Sequence, residues 1–211
     1  QTKAVRDGDD WIINGTKLWI SGADRAQFGV VFARTDSEKG RNGVTCFIVD
    51  TDTPGFHVRR IVHTLRSAHY ATELQFEDMR IPGENILGEV NKGFAIANDR
   101  LTSQRIPYAA GCIGVAIKAQ EMALDYVPQR ETFGAALSTR QSIQWMLVDN
   151  EIDIKQSLWI ILDAAAKAER GENYRKEAAM AKLVATEAGG RVVDRCMQMF
   201  GGLGVAKDLP F

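Results

Sequence analysis

Two hydrophobic periods divide this chain. Up to about residue 82, apolar side chains come in short runs broken by turn signals; beyond Pro82 they recur every three or four residues over long stretches. The first part predicts strands over residues 11–13, 16–20, 28–33, 44–49, 56–62 and 73–76. Asn14-Gly15, between the first two, predicts a type I′ turn, because that turn needs positive φ at both central residues. The polar run 36–43 and Thr53-Pro54-Gly55 separate later strands. Strands this short and this closely spaced suggest a small sandwich or barrel.

The second part predicts helices over residues 92–127, 138–168 and 174–200. The first carries Ala110, Ile113, Ile117 and Leu124 at helical spacing, and tolerates Pro107 only at a kink or near its start. The second places Ile143, Met146, Leu147, Ile154, Leu158, Ile161, Leu162 and Ala165 on one face and stops at Gly171. The third places Ala179, Leu183, Thr186, Gly190, Val193, Met197 and Phe200 on one face in a heptad repeat, and stops at Gly201. Helices of this length, about 40 to 50 Å each, bury such stripes against one another, so an antiparallel bundle is expected. Gly189-Gly190 is unfavourable inside a helix and predicts close approach of another backbone. No fourth helix follows before Phe211, so the bundle reads as an incomplete four-helix bundle. The expected fold is therefore α+β: a small β-sandwich or barrel domain over residues 1–88, then a helical bundle domain over 89–211.

Composition narrows the function classes. The 211 residues are 45% hydrophobic and 25% charged, with 26 Lys and Arg against 27 Asp and Glu. That balance gives no footprint for nucleic acid or an acidic membrane, and no apolar run reaches the ~20 residues that span a bilayer. Cys46, Cys112 and Cys196 are far apart in apolar stretches, and His57, His63 and His69 have no ligand-like companions. Buried reduced thiols in an intracellular protein, and no metal site, are expected.

Three short patches could carry chemistry. Trp19-Ile20-Ser21 ends a strand and enters a turn, where an indole, a hydroxyl and backbone amides could cover a flat ring; a packed strand residue and a turn serine would look the same. Arg130-Glu131-Thr132-Phe133-Gly134 lies between two helices, where a guanidinium, a hydroxyl and nearby amides can bind a pyrophosphate, although a cation at a helix C-terminus is an ordinary feature. Gln141, one turn into the next helix, could add an amide donor. Gln198 to Gly204 reads Q-M-F-G-G-L-G, and a glycine cap accounts for Gly201 but not for Gly202 and Gly204.

The order and spacing of these patches resemble the acyl-CoA dehydrogenase family over essentially the whole chain. The match runs through N-G-T-K-x-W-I-S (14–21), F-A-R-T-D (32–36), F-E-D-M-R-I-P (76–82), E-N-I-L-G (84–88), R-E-T-F-G (130–134), A-A-M-A-K (178–182) and Q-M-F-G-G-L-G (198–204). The resemblance implies an FAD cofactor whose ring meets Trp19, Ile20 and Ser21. It implies that Arg130, Thr132, Phe133, Gln141, Gln198, Gly201 and Gly202 hold the pyrophosphate and adenosine end of a neighbouring subunit's FAD, hence a homodimer or homotetramer.

The implied reaction removes the α proton of an acyl-CoA thioester while hydride leaves the β carbon, with electrons passed to an electron-transfer flavoprotein. The family's base is usually a Glu beyond the Gly-rich motif, expected here downstream of Phe211, so no catalytic residue is assigned. Some members carry it just before the Arg of the first long helix, but that position here is Gln104, which cannot act as a base. Thr102 and Arg105 are candidates for lining the substrate side. Against the family pattern both termini read as truncated, and residues 63–72 look about one residue longer and lack the usual glycine. The alternatives are an acyl-CoA oxidase, an enoyl-CoA reductase or a flavin monooxygenase on the same fold, or a scaffold that lost the base. The compartment implied is cytoplasmic in a bacterium, and the mitochondrial matrix or peroxisome in a eukaryote.

Overall fold

The first hairpin turns at Gly8-Asp9, not at Asn14-Gly15. In the computed structural model, which describes residues 2–63 and 70–211, β1 (Lys3–Asp7) pairs antiparallel with β2 (Asp10–Ser21), with Asp7 opposite Asp10. Gly8 supplies the positive φ of that turn, at 65°. Asn14-Gly15 stays inside β2, because its extra partner lies across the sheet. Between Ile13 and Gly15 the register against β6 (Ala71–Pro82) shifts by one residue, and Asp78 sits there at φ 44°. Asn14 holds the bulge with both ends of its amide: Nδ2 donates to Asp78 Oδ1 at 2.9 Å, and Asp78 N–H donates to Asn14 Oδ1 at 2.8 Å.

With β3 (Phe28–Arg34), β4 (Val44–Asp50) and β5 (Phe56–Val62), these strands form a six-stranded mixed sheet in the order β4-β3-β1-β2-β6-β5. Only the β1–β3 pair is parallel. Its core gathers Trp11, Ile13, Val31, Phe47, Leu74, Phe76, Met79 and Ile81, with Trp11 edge-on to Phe47 at 5.7 Å between ring centres. The divergent stretch 63–72 lies mainly outside the described residues.

Contacts divide the chain into Gln1–Asp99 and Arg100–Phe211, a boundary inside the first turns of α1 (Gly93–Tyr126). The second unit contains most of α1 with α2 (Gln141–Glu169) and α3 (Arg175–Phe200), as the helical period predicts, and Pro107 lies within α1. Successive helices run antiparallel. Near the α2–α3 turn Lys167 Nζ meets Glu177 Oε1 at 2.7 Å, while farther along both helices Asp153 takes Arg191 and Arg195.

The buried faces differ from those expected. On α3 the buried line is Ala178, Ala181, Ala185, Ala188, Val192, Cys196 and Met199, whereas the expected Ala179, Leu183 and Gly190 are exposed. Small side chains let the helices approach closely, so Ala and Gly win the interior over Leu. A Cβ on Gly189 would stand 3.3 Å from the Cys112 carbonyl oxygen of α1, the close backbone approach that the glycine pair predicts; Gly190 faces open space. On α2, Leu162 is exposed, and the buried line takes in Asn150 and Ser157.

Candidate functional site

Tyr126 and Phe200 stack face to face, 4.2 Å between ring centres at 16°, which brings the C-terminal ends of α1 and α3 together. Arg130 follows Tyr126 by one turn and Gln198 precedes Phe200, so the two patches lie at the same end of the helical unit. Between α1 and α2 the chain makes a small hairpin, β7 (Glu131–Thr132) with β8 (Ala135–Ala136), where a loop was expected. Its two-residue turn is Phe133-Gly134, with φ of 49° and 73°, the positive pair of a type I′ turn.

A phenylalanine at positive φ is a sterically costly choice, of order 1–3 kcal/mol. It is also fully exposed, at 101%. At that exposure the ring buries no surface that would offset the cost, and the turn presents it outward. The hairpin is anchored by the segment leading into α2: Arg140 Nη2 donates to Thr132 O at 2.7 Å, and Leu137 N–H donates to Arg130 O at 2.7 Å. Arg140 was not legible as a site residue, because its role is to brace a turn that the sequence does not announce.

Arg130 and Gln141 are exposed, and the Arg130 guanidinium makes no hydrogen bond or ion pair among the described residues. Gln198 is exposed on the last turn of α3. Gly201 caps that helix at φ 58°, as expected. The two further glycines differ from each other. A Cβ on Gly204 would fall 2.3 Å from Met197 O, so packing requires that glycine, whereas a Cβ on Gly202 would meet nothing within 4 Å. Gly202 is free of any local steric reason.

The other aromatic patch repeats the same device in the sheet unit. Between Lys17 and Ile20 the β2–β6 register slips again, now with the extra residue on β2, and Trp19 sits there at φ 65° with 62% of its surface exposed. Thr72, fully buried, fixes the bulge by donating from Oγ1 to Ile20 O at 2.8 Å. Ser21 ends the strand, exposed, before the Gly22 turn.

Thr102 and Arg105 lie near the other end of the helical unit. From Arg105 to Tyr126 the helix rises by about 32 Å. Thr102 is buried and Arg105 half-buried. Burial pushes the thiols of Cys46 and Cys196 up to about 11, so both stay protonated and unreactive at neutral pH. Among the described residues no helix is long and apolar enough to cross a membrane, and no group of three His, Cys, Asp or Glu side chains could hold a metal.

These elements recur in known proteins. The family model described as acyl-CoA dehydrogenase, middle domain, matches residues 1–79, and that described as acyl-CoA dehydrogenase, C-terminal domain, matches residues 91–211. A short-chain specific acyl-CoA dehydrogenase of Clostridium acetobutylicum is 38% identical over 211 residues, 100% of this chain and 56% of its own. The mitochondrial short-chain specific enzyme of Bos taurus is 38% identical over 210 residues, 99% of this chain and 51% of its own. The solved structure of butyryl-CoA dehydrogenase from Megasphaera elsdenii superposes with a TM-score of 0.95 at 37% identity, covering 100% of this chain and 55% of that one. The chain thus spans about half the length of the relatives it matches.

Proposed function

Because the chain belongs to the acyl-CoA dehydrogenase family, we propose that it serves the FAD-dependent α,β-dehydrogenation of a short acyl-CoA thioester, with electrons passed on to an electron-transfer flavoprotein. The observation that carries this reading is the pair of exposed aromatics held at positive φ, Trp19 and Phe133. Strained backbone clusters at ligand sites, and an exposed aromatic face stacks well on a flat ring, so each of the two positions, one in each unit, favours this reading.

The residues present fit FAD. Arg130, whose guanidinium has no partner among the described residues, offers a planar cation for a pyrophosphate, and Thr132, two residues on, offers a hydroxyl. Gln141 and Gln198 offer amides, and Gly202 leaves room for a ligand to approach backbone. In this reading Trp19, Ile20 and Ser21 receive the ring, and Phe133 shields the cofactor from water. The helical-unit residues serve the FAD of a neighbouring copy, which requires a homodimer or homotetramer.

When bound, FAD supplies the hydride acceptor. The chain's own part is to hold and orient that acceptor, while Thr102 and Arg105 line the substrate side. No described residue is assigned as the base, and Gln104 rules out the position before Arg105. The bacterial and mitochondrial relatives support a cytoplasmic or mitochondrial-matrix setting.

Anaerobic addition of butyryl-CoA to the full-length protein tests the reaction. Bleaching of a bound flavin, with turnover sustained by an electron-carrier protein but not by oxygen, is expected. A flavin that acyl-CoA leaves unbleached would refute the assignment, and peroxide release in air would move it to an oxidase.

A further inference from the structure

Lys17 is half-buried on β2 with no carboxylate to meet it. Its Nζ donates to a backbone carbonyl of β3, Phe32 O, at 2.7 Å. Among the described residues it makes no ion pair, whereas Lys39, Lys118, Lys155 and Lys167 each pair with an Asp or Glu. A depression of about 330 Å³ opens beside it, lined also by Thr2, Thr16, Ala33, Arg34 and Val44. Its polar neighbours are engaged elsewhere: Thr2 Oγ1 donates to Thr16 O at 2.9 Å, and Arg34 Nη1 to Gly40 O at 2.7 Å. Arg34 is the other ionisable group of this lining, and it too is a cation. Burial without an anion disfavours the ammonium, and it pulls the Lys17 pKa below the ordinary lysine value. The neutral amine can keep one N–H on Phe32 O and still has its lone pair free for a carbon electrophile.

We propose that Lys17 is a modification site that takes the acyl group of a short acyl-CoA thioester. The choice of donor rests on the acyl-CoA reading above. The amine nitrogen attacks the thioester carbonyl carbon, an N–C bond forms and the C–S bond breaks. The sulfur leaves with the bonding pair and takes up the proton that the nitrogen gives up, so the products are an amide and free CoA thiol. Nothing is oxidised or reduced, and no further reactant is needed. The amide keeps one N–H for Phe32 O, and Ala33 and Val44 offer the short alkyl chain an apolar lining.

The test uses the full-length protein and deuterated acetyl-CoA, whose acyl group has no β carbon and so cannot be dehydrogenated. Peptide mass spectrometry near neutral pH reads the labelling rate of each lysine, in the native protein and in the urea-unfolded chain. Lys17 should take the label about threefold or more faster when native, because more of its amine is then neutral. Lys118 and Lys155, paired with Glu121 and Glu151, should show no such gain. A Lys17→Arg variant, which keeps a cation and a donor for Phe32 O, should lose the fast phase of labelling seen in the intact mass. Labelling of Lys17 at or below its unfolded rate overturns the proposal. Fast labelling in a protein whose flavin butyryl-CoA fails to bleach would support this site and refute the dehydrogenase reading. Bleaching without fast labelling would leave that reading standing and dismiss the site.

Discussion

Arg140 reaches back across the β7–β8 hairpin to bond Thr132 O at 2.7 Å, and this contact braces the turn that forces Phe133 to φ 49°. The strain and the exposure of Phe133 belong to the same design. Replacing it by Asn, which tolerates that backbone, should raise stability by up to about 1 kcal/mol while loosening FAD retention. Urea denaturation and flavin content, measured on the same preparation, check both arms. A variant that gains stability and keeps its flavin would show that the ring has no part in the site.

Gly202 and Gly204 should separate folding from binding. Gly204→Ala drives a Cβ to 2.3 Å from Met197 O and should destabilise by about 2 kcal/mol or more. Gly202→Ala meets nothing, so its stability should stay within about 0.5 kcal/mol of the parent while its FAD affinity falls. Thermal melts with and without added FAD distinguish the two; equal effects from both substitutions would contradict the assignment.

Asn150 is fully buried between the three helices. It donates to Gln120 Oε1 at 2.9 Å and accepts from Arg195 Nη1 at 3.1 Å. Gln120 in turn donates to Leu147 O at 2.9 Å. Asn150→Ala strands these groups in the interior and should cost about 2–3 kcal/mol, read as a lower urea midpoint. A cost below about 1 kcal/mol would mean that the network does not hold the bundle.

Asp153 ties α2 to α3 through Arg191 and Arg195, and the hydrogen bond from Arg191, followed by that from Arg195, holds its pKa below the ordinary value of 3.8. A depressed carboxylate pKa favours the folded state above the unfolded value, and that contribution disappears as pH falls through the folded value. Stability should therefore drop below about pH 4, and Asp153→Asn should flatten that acid limb while lowering stability at pH 7. Melting temperatures across pH 2–7 decide it; an identical acid limb in the variant would remove Asp153 from the account.

The sequence reveals the helices to within about three residues because long amphipathic periods and the stops at Gly171 and Gly201 are local signals. The strands β3 to β5 were legible for the same reason. β1 was not, since of Lys3–Asp7 only Ala4 is buried and nothing local marks a strand. Asn14-Gly15 misled because its turn chemistry serves a bulge on the neighbouring strand, a long-range fact. The α3 face lies rotated from the heptad line because close helix packing buries Ala178, Ala181, Ala185 and Ala188 and leaves Leu183 outside. Within the candidate site, the motif residues could be read, but Phe133 in a type I′ turn contradicts every local preference. Such conflicts concentrate where function is built in.

The central claim is that the Arg130 and Gln198 patches hold FAD. The most direct measurement is the FAD dissociation constant of the full-length protein and its Arg130→Ala variant, followed by flavin fluorescence. Losing a bidentate guanidinium–phosphate contact should weaken binding roughly 10- to 100-fold, with the helical fold unchanged by circular dichroism. Equal affinity in the two proteins, or no flavin binding in either, would contradict the account.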